Sequence, residues 1–252
     1  MAEDFTDDYL LDKKVKILQP IDGYRASSDA VLLSAMPDNN IKNARILDVG
    51  SGTGAVSLCL AHRLQKNNVQ IIGLELQEDL AKLSAQSAII NNFDFVRFYQ
   101  ADIRQKLNIS EYAYCSFDVV VSNPPYSEHD MPSPNMSKAT AHNHHNFDLE
   151  HWLAFCLKSL KPFGRLYMVN RVEALPDICA YLHGKAGNIE ILPIYSKANQ
   201  IAKRIIISAQ KDSKTPCKIL PPFIVHDGNG KYTDESEEIL RRGKCFAELR
   251  NI

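Results

Sequence analysis

Short apolar runs alternate along most of this chain with longer stretches in which apolar residues recur every three to four positions. The short runs predict strands at Ala44–Val49, Ile71–Leu76, Val96–Gln100, Phe117–Ser122, Gly164–Val169, Asn188–Tyr195 and Arg204–Ala209. The periodic stretches predict helices at Ala55–Leu64, Glu78–Ile90, Leu149–Leu160 and Val172–Leu182, the last with Pro176 near its first turn, where proline is tolerated. Strands buried on both faces and separated by amphipathic helices imply an α/β fold, a mostly parallel sheet of seven strands with helices on both faces. Upstream, Val15–Leu18 alternates weakly into the turn chemistry of Gln19-Pro20-Ile21-Asp22-Gly23-Tyr24, which predicts a short hairpin. Ser28 or Asp29 is expected to cap a helix that Pro37 stops. Glu3, Asp4, Asp7, Asp8 and Asp12 have no base among them, so the first dozen residues are expected to be loose. The interval Ser127–Asn146, rich in Met, Pro, Ser, Asn and His, is long for a connection and reads as a lid or a disordered loop. The expected division is an N-terminal hairpin and helix lid segment over 1–40, a core over 41–211, and an extension over 212–252 packed on that core.

Composition narrows the class without choosing a chemistry. The 252 residues are 45% hydrophobic and 23% charged, as in an ordinary soluble domain, and the formal net charge of −1 argues against non-specific coating of nucleic acid. No apolar segment suits a signal peptide or a membrane span. The six cysteines are scattered without a Cys-x-x-Cys pair, as in a reduced, cytoplasmic protein.

The first chemical signal is Asp48-Val49-Gly50-Ser51-Gly52-Thr53-Gly54, at the junction of a strand and a helix. Glycines there allow a tight turn and let backbone N–H groups approach a ligand. Gly50-x-Gly52-x-x-Ala55, with Glu75 further on, also satisfies the dinucleotide fingerprint, so the glycines alone leave NAD and S-adenosyl-L-methionine (SAM) open. Two acids, Asp48 and Asp102, favour SAM, and a third, Glu75, suits either cofactor. Asp48 would meet a cationic or amino-bearing ligand and repel a diphosphate. Glu75, followed by Leu76, can accept from ribose hydroxyls. Asp102 can accept from an adenine amino group, with Ile103 packed on the ring. Together they stand at successive strand ends, the edge at which open α/β sheets bind ligands. Gly50, Ser51, Gly52 and Gly54 complete this expected cofactor set.

About seventy residues downstream, a spacing of two to three βα units, the fourth expected strand ends in Asn123-Pro124-Pro125-Tyr126. An amino group conjugated to an aromatic ring is a poor nucleophile because its lone pair is delocalised. Acceptors at its N–H bonds, here Asn123 and a carbonyl of the Pro124-Pro125 step, return density to nitrogen and stabilise the charge that develops on it. The prolines stiffen the turn, and Tyr126 can stack on the ring. The pair of motifs points to methyl transfer onto an exocyclic amino group, with Asn123, Pro124 and Tyr126 as catalytic candidates and Pro125 and Tyr126 as substrate contacts. Asn123 also counts as a cofactor neighbour. A base in a stacked loop would have to be flipped out to reach such a corner.

Other clusters carry less. His142, His144, His145 and His151 lack the cysteines or carboxylates that complete a metal site, and no metal is expected. Lys197, Lys203, Arg204, Lys211, Lys214 and Lys218 form one basic stretch, and Arg241, Arg242 and Lys244 another. These are the best phosphate contacts in the chain, with Lys203 and Arg204 as substrate candidates.

Asp48–Gly54 with Asn123–Tyr126 resembles the Rossmann-like, class I SAM-dependent methyltransferases of the amino-methylating kind. Gly23-Tyr24-Arg25 and Ser28-Asp29-Ala30-Val31-Leu32-Leu33 are similar to the N-terminal signature of the bacterial valine-tRNA adenine-N6 methyltransferases. Lys203–Lys211 resembles that family's last strand. Asp227-Gly228, Tyr232-Thr233-Asp234-Glu235 and Ile239-Leu240 resemble its tail. Where an aromatic commonly follows the motif in that family, this chain has Ser127-Glu128-His129. The resemblance implies an N-terminal segment closing over the methionine end of SAM, which makes Arg25, Ser28 and Asp29 cofactor neighbours. It also implies an RNA partner, tRNA, with adenine N6 as acceptor. A glutamine amide of a release factor and guanine N2 of rRNA are the alternative acceptors. A silent SAM- or RNA-binding protein and an NAD-linked oxidoreductase are the alternatives of other classes.

Overall fold

The computed structural model describes residues 5–22, 25–125 and 149–250. Its largest unit is a nine-stranded sheet built from β3 (Arg45–Val49), β4 (Gln70–Glu75), β5 (Val96–Gln100), β6 (Phe117–Ser122), β7 (Leu160–Arg171), β8 (Ala186–Lys197), β9 (Arg204–Lys211), β10 (Lys218–Ile219) and β11 (Phe223–His226). The order is β10-β8-β9-β7-β6-β3-β4-β5, with β11 also paired to β8. The seven expected strands are all present, and the extension adds β10 and β11 to the outer side of β8. Only β9 runs against its neighbours β7 and β8.

Within this sheet the chain enters at β3, steps outward through β4 to β5, then returns to lay β6 on the other side of β3. The C-terminal ends of β3 and β6 therefore flank the topological switch point, where the crevice of an open α/β sheet lies. Helices α2 (Ala55–Leu64) and α3 (Glu78–Ile90) share one hydrophobic cluster with α1 (Ser28–Ser34), α6 (Asp234–Leu240) and Phe246 of α7 (Phe246–Leu249). On the opposite face α4 (Leu149–Ser159) and α5 (Leu175–Leu182) pack with Leu47, Val49, Val120, Leu166 and Met168. Alternation along β3 sends Ile46 and Asp48 to the first face and Leu47 and Val49 to the second. Among the described residues no helix is long and apolar enough to cross a membrane.

The N-terminus departs from expectation. β1 (Phe5–Leu10) pairs antiparallel with β2 (Val15–Pro20), so the hairpin turns at 11–14 rather than at 19–24. Leu11, Asp12 and Lys13 make that turn with φ of 51°, 53° and 67°. The acids that looked unrelieved find bases farther along the chain: Asp7 pairs with Lys16 at 2.6 Å and Asp8 with Arg25 at 2.5 Å. The cap of α1 is Ser27, one residue before the expected pair, with its side chain accepting from Asp29 N. Val172–Ala174 forms a 3₁₀ turn before α5 rather than a continuous helix.

Candidate active site

The glycine loop leaves β3 and is fastened to the neighbouring strand through its backbone. Gly50 and Ser51 N–H both donate to Leu74 O at 2.9 Å, and Gly52 N–H donates to Glu75 Oε2 at 2.8 Å. Glu75 Oε1 accepts from Gln77 N–H at 2.9 Å. The last residue of β4 thus ties the loop after β3 to the start of α3. Gly50 (φ +73°) and Gly54 (φ +85°) occupy the left-handed region, and space forbids larger residues at both. A Cβ on Gly50 would stand 2.9 Å from the Trp152 ring, and one on Gly54 would stand 2.8 Å from Phe98 and 2.9 Å from Ser84.

Of the three acids expected at the edge, Glu75 alone is bonded to the glycine loop. Asp48 lies one residue inside the strand end and is fully buried, its Oδ2 accepting from Ser57 Oγ on α2 at 2.7 Å. Burial raises its pKa to about 7, with the nearby charge of Glu75 acting in the same direction. Glu75 is also pushed up by burial, against the backbone N–H groups that favour its charge. Asp102, two residues beyond β5, is held in an ion pair by Arg104, with Nε to Oδ1 at 2.8 Å and Nη2 to Oδ2 at 2.7 Å; these bonds lower its pKa. Ile103 is half-buried and Leu76 is 39% exposed.

Asn123 follows the last residue of β6 directly, and the register Val49↔Ser122 sets it beside Gly50 across the switch point. Pro124 is buried, while Asn123 and Pro125 are half-buried. Tyr126 and the histidines 142, 144 and 145 lie outside the described residues. A feature the sequence reading passed over joins the two motifs: Trp152 Nε1–H of α4 donates to Ser122 Oγ at 2.9 Å, and Ser122 Oγ–H donates to Val49 O at 2.8 Å. The same indole lies against Gly50. One signal could have found it, since Trp152 is the only tryptophan in the chain and opens the helix after the motif loop.

The N-terminal candidates gather less closely. Arg25 is exposed and held by Asp8, with further bonds to Thr6 Oγ1 and Pro20 O. Ser28 is exposed at the start of α1. Asp29 is buried and ion-paired to Arg204 Nε at 2.8 Å, so a cofactor candidate and a substrate candidate hold each other. The first basic stretch divides. Lys197, Lys203 and Arg204 lie at the C-terminal ends of the parallel strands, while Lys211, bonded to Leu160 O, lies at the other end of β9, followed by Lys214 and Lys218. The second stretch is largely neutralised: Arg241 pairs with Glu237, and Arg242 and Lys244 share Glu238.

Whether these residues suit SAM can be judged from the loop itself. Asp48 Oδ1, Ser51 Oγ and Thr53 Oγ1 are buried around the glycine turn with no hydrogen-bond partner among the described residues, and such groups normally have one. Their mixture of one carboxylate and two hydroxyls, with Glu75 adjacent, suits a ligand carrying amino and hydroxyl groups. A glycine turn and an Asn-Pro-Pro corner on the two sides of a switch point define a methyltransferase of class I architecture.

Comparison with known proteins agrees. A methyltransferase domain family matches residues 40–215. The tRNA1(Val) (adenine(37)-N6)-methyltransferase of Glaesserella parasuis is 32% identical over 83% of this chain and 85% of its own. That of Haemophilus influenzae is 28% identical over 91% and 95%. The chain therefore belongs to the methyltransferase domain family and, within it, to the family of these tRNA1(Val) methyltransferases. A solved structure of a predicted O-methyltransferase from Agrobacterium tumefaciens superposes with a TM-score of 0.69 at 21% identity, over 86% of this chain and 96% of its own, which bears on the fold. The protein is a SAM-dependent methyltransferase, as the resemblance implied.

Proposed function

We propose that this chain methylates N6 of an adenine in tRNA, the reaction named for its relatives at adenine 37 of tRNA1(Val). The observation that carries the reading is the placement of Asn123-Pro124-Pro125 at the end of β6, directly across the switch point from the glycine loop. Asp48, Gly50, Ser51, Gly52, Gly54, Glu75, Leu76, Asp102 and Ile103 hold the cofactor, with Arg25, Ser28 and Asp29 covering its methionine end. When bound, SAM supplies an electrophilic methyl carbon on a sulfonium.

The chain's own residues do the rest. Asn123 Oδ1 and the carbonyl of Pro124 accept from the adenine amino group, returning its lone pair to nitrogen and stabilising the charge that develops there. Pro124 and Pro125 keep those oxygens in place. Tyr126 stacks on the base once it has left its neighbours. No shifted general base is needed, because the methylated nitrogen is acidic enough to lose its proton to water. Lys203 contacts the RNA, and Arg204 reaches it through the exposed part of a guanidinium whose Nε is held by Asp29. Residues 1–40 act as a cover, 41–211 as the transfer core and 212–252 as a packed extension. The protein works in the cytoplasm, where tRNA is modified.

The test is incubation with tritiated SAM and, separately, total tRNA, free rRNA and release factor from a strain lacking the protein, followed by nucleoside analysis. Label in N6-methyladenosine of tRNA is expected. Label confined to release factor, or to N2-methylguanosine of rRNA, would replace this reading with the corresponding alternative acceptor.

A further inference from the structure

A cleft of about 340 Å³ opens among His226, Lys231, Tyr232, Glu237 and Arg241. Strand β11 runs parallel to β8 with His226 beside Lys197, so the cleft lies at the same C-terminal sheet edge as the Asn-Pro-Pro corner. It is four strand spacings from β6, roughly 19 Å. Its walls carry two kinds of chemistry. The His226 and Tyr232 rings lie nearly parallel, with centroids 5.2 Å apart and planes at 20°, and the Arg241 guanidinium is 5.8 Å from the Tyr232 ring centre. Glu237, the one acid among these residues, is taken up by Arg241.

Around the cleft, Lys197 ends β8, Lys203 precedes β9 and Lys231 follows β11. None of their ammonium groups has an acidic partner among the described residues. Other cations of the same basic stretches are occupied: Arg204 by Asp29, Lys218 by Glu190, and Arg242 and Lys244 by Glu238. Three lysines without acidic partners thus stand on the edge that carries the transfer corner, while Lys214, equally without one among the described residues, stands at the other end of the sheet. Lysines that track a phosphate backbone beside rings able to stack on a base are the chemistry of RNA capture.

We propose that this cleft with Lys197 and Lys231 is a second RNA subsite. It holds the sugar–phosphate backbone and one stacked nucleotide of the tRNA while the target adenine occupies the Asn-Pro-Pro corner. The inference rests on the tRNA reading above and adds a site to it.

The experiment measures binding of unmodified tRNA by fluorescence anisotropy across a salt series, together with SAM affinity and thermal melting. It uses wild type, Lys197→Glu/Lys231→Glu, Tyr232→Ala, and the opposite-edge control Lys214→Glu/Lys218→Glu. The Lys197/Lys231 variant should bind tRNA at least about tenfold more weakly, and its salt slope should shrink by roughly 1.5. Tyr232→Ala should weaken binding with the slope unchanged, because stacking releases no counterions. SAM affinity should match wild type in every variant, and tRNA binding by the control should match it too. Melting should be unchanged in the Lys197/Lys231 variant but lower in Tyr232→Ala, whose ring packs on the core. Wild type that methylates tRNA while the Lys197/Lys231 variant binds it with unchanged affinity and slope would overturn the subsite alone. An equal loss in the control would also overturn it. Wild type that binds SAM but neither binds nor methylates tRNA would overturn the tRNA reading and the subsite with it.

Discussion

The two halves of the sheet edge solve opposite problems. On the cofactor side, from β3 to β5, the backbone of the turn and the acids are tied down within the chain: Gly50, Ser51 and Gly52 N–H are bonded to β4, Asp48 Oδ2 to Ser57, and Asp102 to Arg104. This leaves Asp48 Oδ1, Ser51 Oγ and Thr53 Oγ1 buried without a partner among the described residues. On the acceptor side, from β6 to β11, the backbone is stiffened by two prolines and by Trp152, and Lys197, Lys203 and Lys231 stand at the rim without acidic partners among the described residues. A pocket for one small molecule can be held rigid by its own chain, with only a few buried groups left for the ligand to satisfy. A surface for a large polyanion has to leave cations unmatched until the partner arrives, since an internal ion pair would compete with it.

The sharpest way to break this division is Asn123→Ala. Removing one acceptor from the transfer corner should lower the rate at least about a hundredfold, while SAM affinity measured by calorimetry stays within about threefold of wild type. A large loss of cofactor binding would move Asn123 to the other side of the comparison.

Asp48→Asn probes the buried side through pH. The folded carboxyl has its pKa raised from 3.8 to about 7, so between those values the native state retains a proton that the unfolded chain has released. Stability without cofactor should fall as pH rises through that window, by on the order of 4 kcal/mol at most. Urea unfolding at a series of pH values should show the slope reduced in the variant, with the part due to Glu75, raised in the same direction, still present. An identical slope in the two proteins would mean that Asp48 does not hold that proton.

Gly50→Ala should cost about 1–3 kcal/mol, because it combines a positive φ with a Cβ 2.9 Å from the Trp152 ring. It should weaken SAM binding as well, since the ring or the loop must shift. Denaturation together with a SAM titration reads both effects, and a variant as stable as wild type would remove Trp152 as the limit on this loop.

The smallest expected effect comes from Trp152→Phe, which keeps a ring against Gly50 but deletes the N–H to Ser122. Loss of one hydrogen bond of about 1 kcal/mol should lower kcat about fivefold, with KM for SAM nearly unchanged. A change in KM alone would place the indole on the cofactor side.

Much of the core was legible in the residues. Helices α2 and α3 and strands β5 and β6 occupy the expected bounds, because their periodicity is local and Gly54, Gln77 and Asn123 punctuate it. The glycine turn and the Asn-Pro-Pro step were legible for a related reason, since few uses explain glycine or proline in those patterns. The pairing of Phe5–Leu10 was not legible, because the partners of its acids, Lys16 and Arg25, come later in the chain. Strands of two and four residues, β10 and β11, are too short to show a period.

What the sequence determined by itself was therefore the set of elements and the two motifs, since both follow from backbone preferences and from side-chain burial repeated over a few residues. Which motif faces which was decided by tertiary structure, through the return of the chain that lays β6 beside β3. The same level of structure divided one basic stretch between two ends of the sheet, gave the Asp102 carboxylate to Arg104, and set Trp152 against Gly50. Those outcomes depend on crossover direction and on close packing between segments distant in the chain, and neither leaves a local trace in the order of residues.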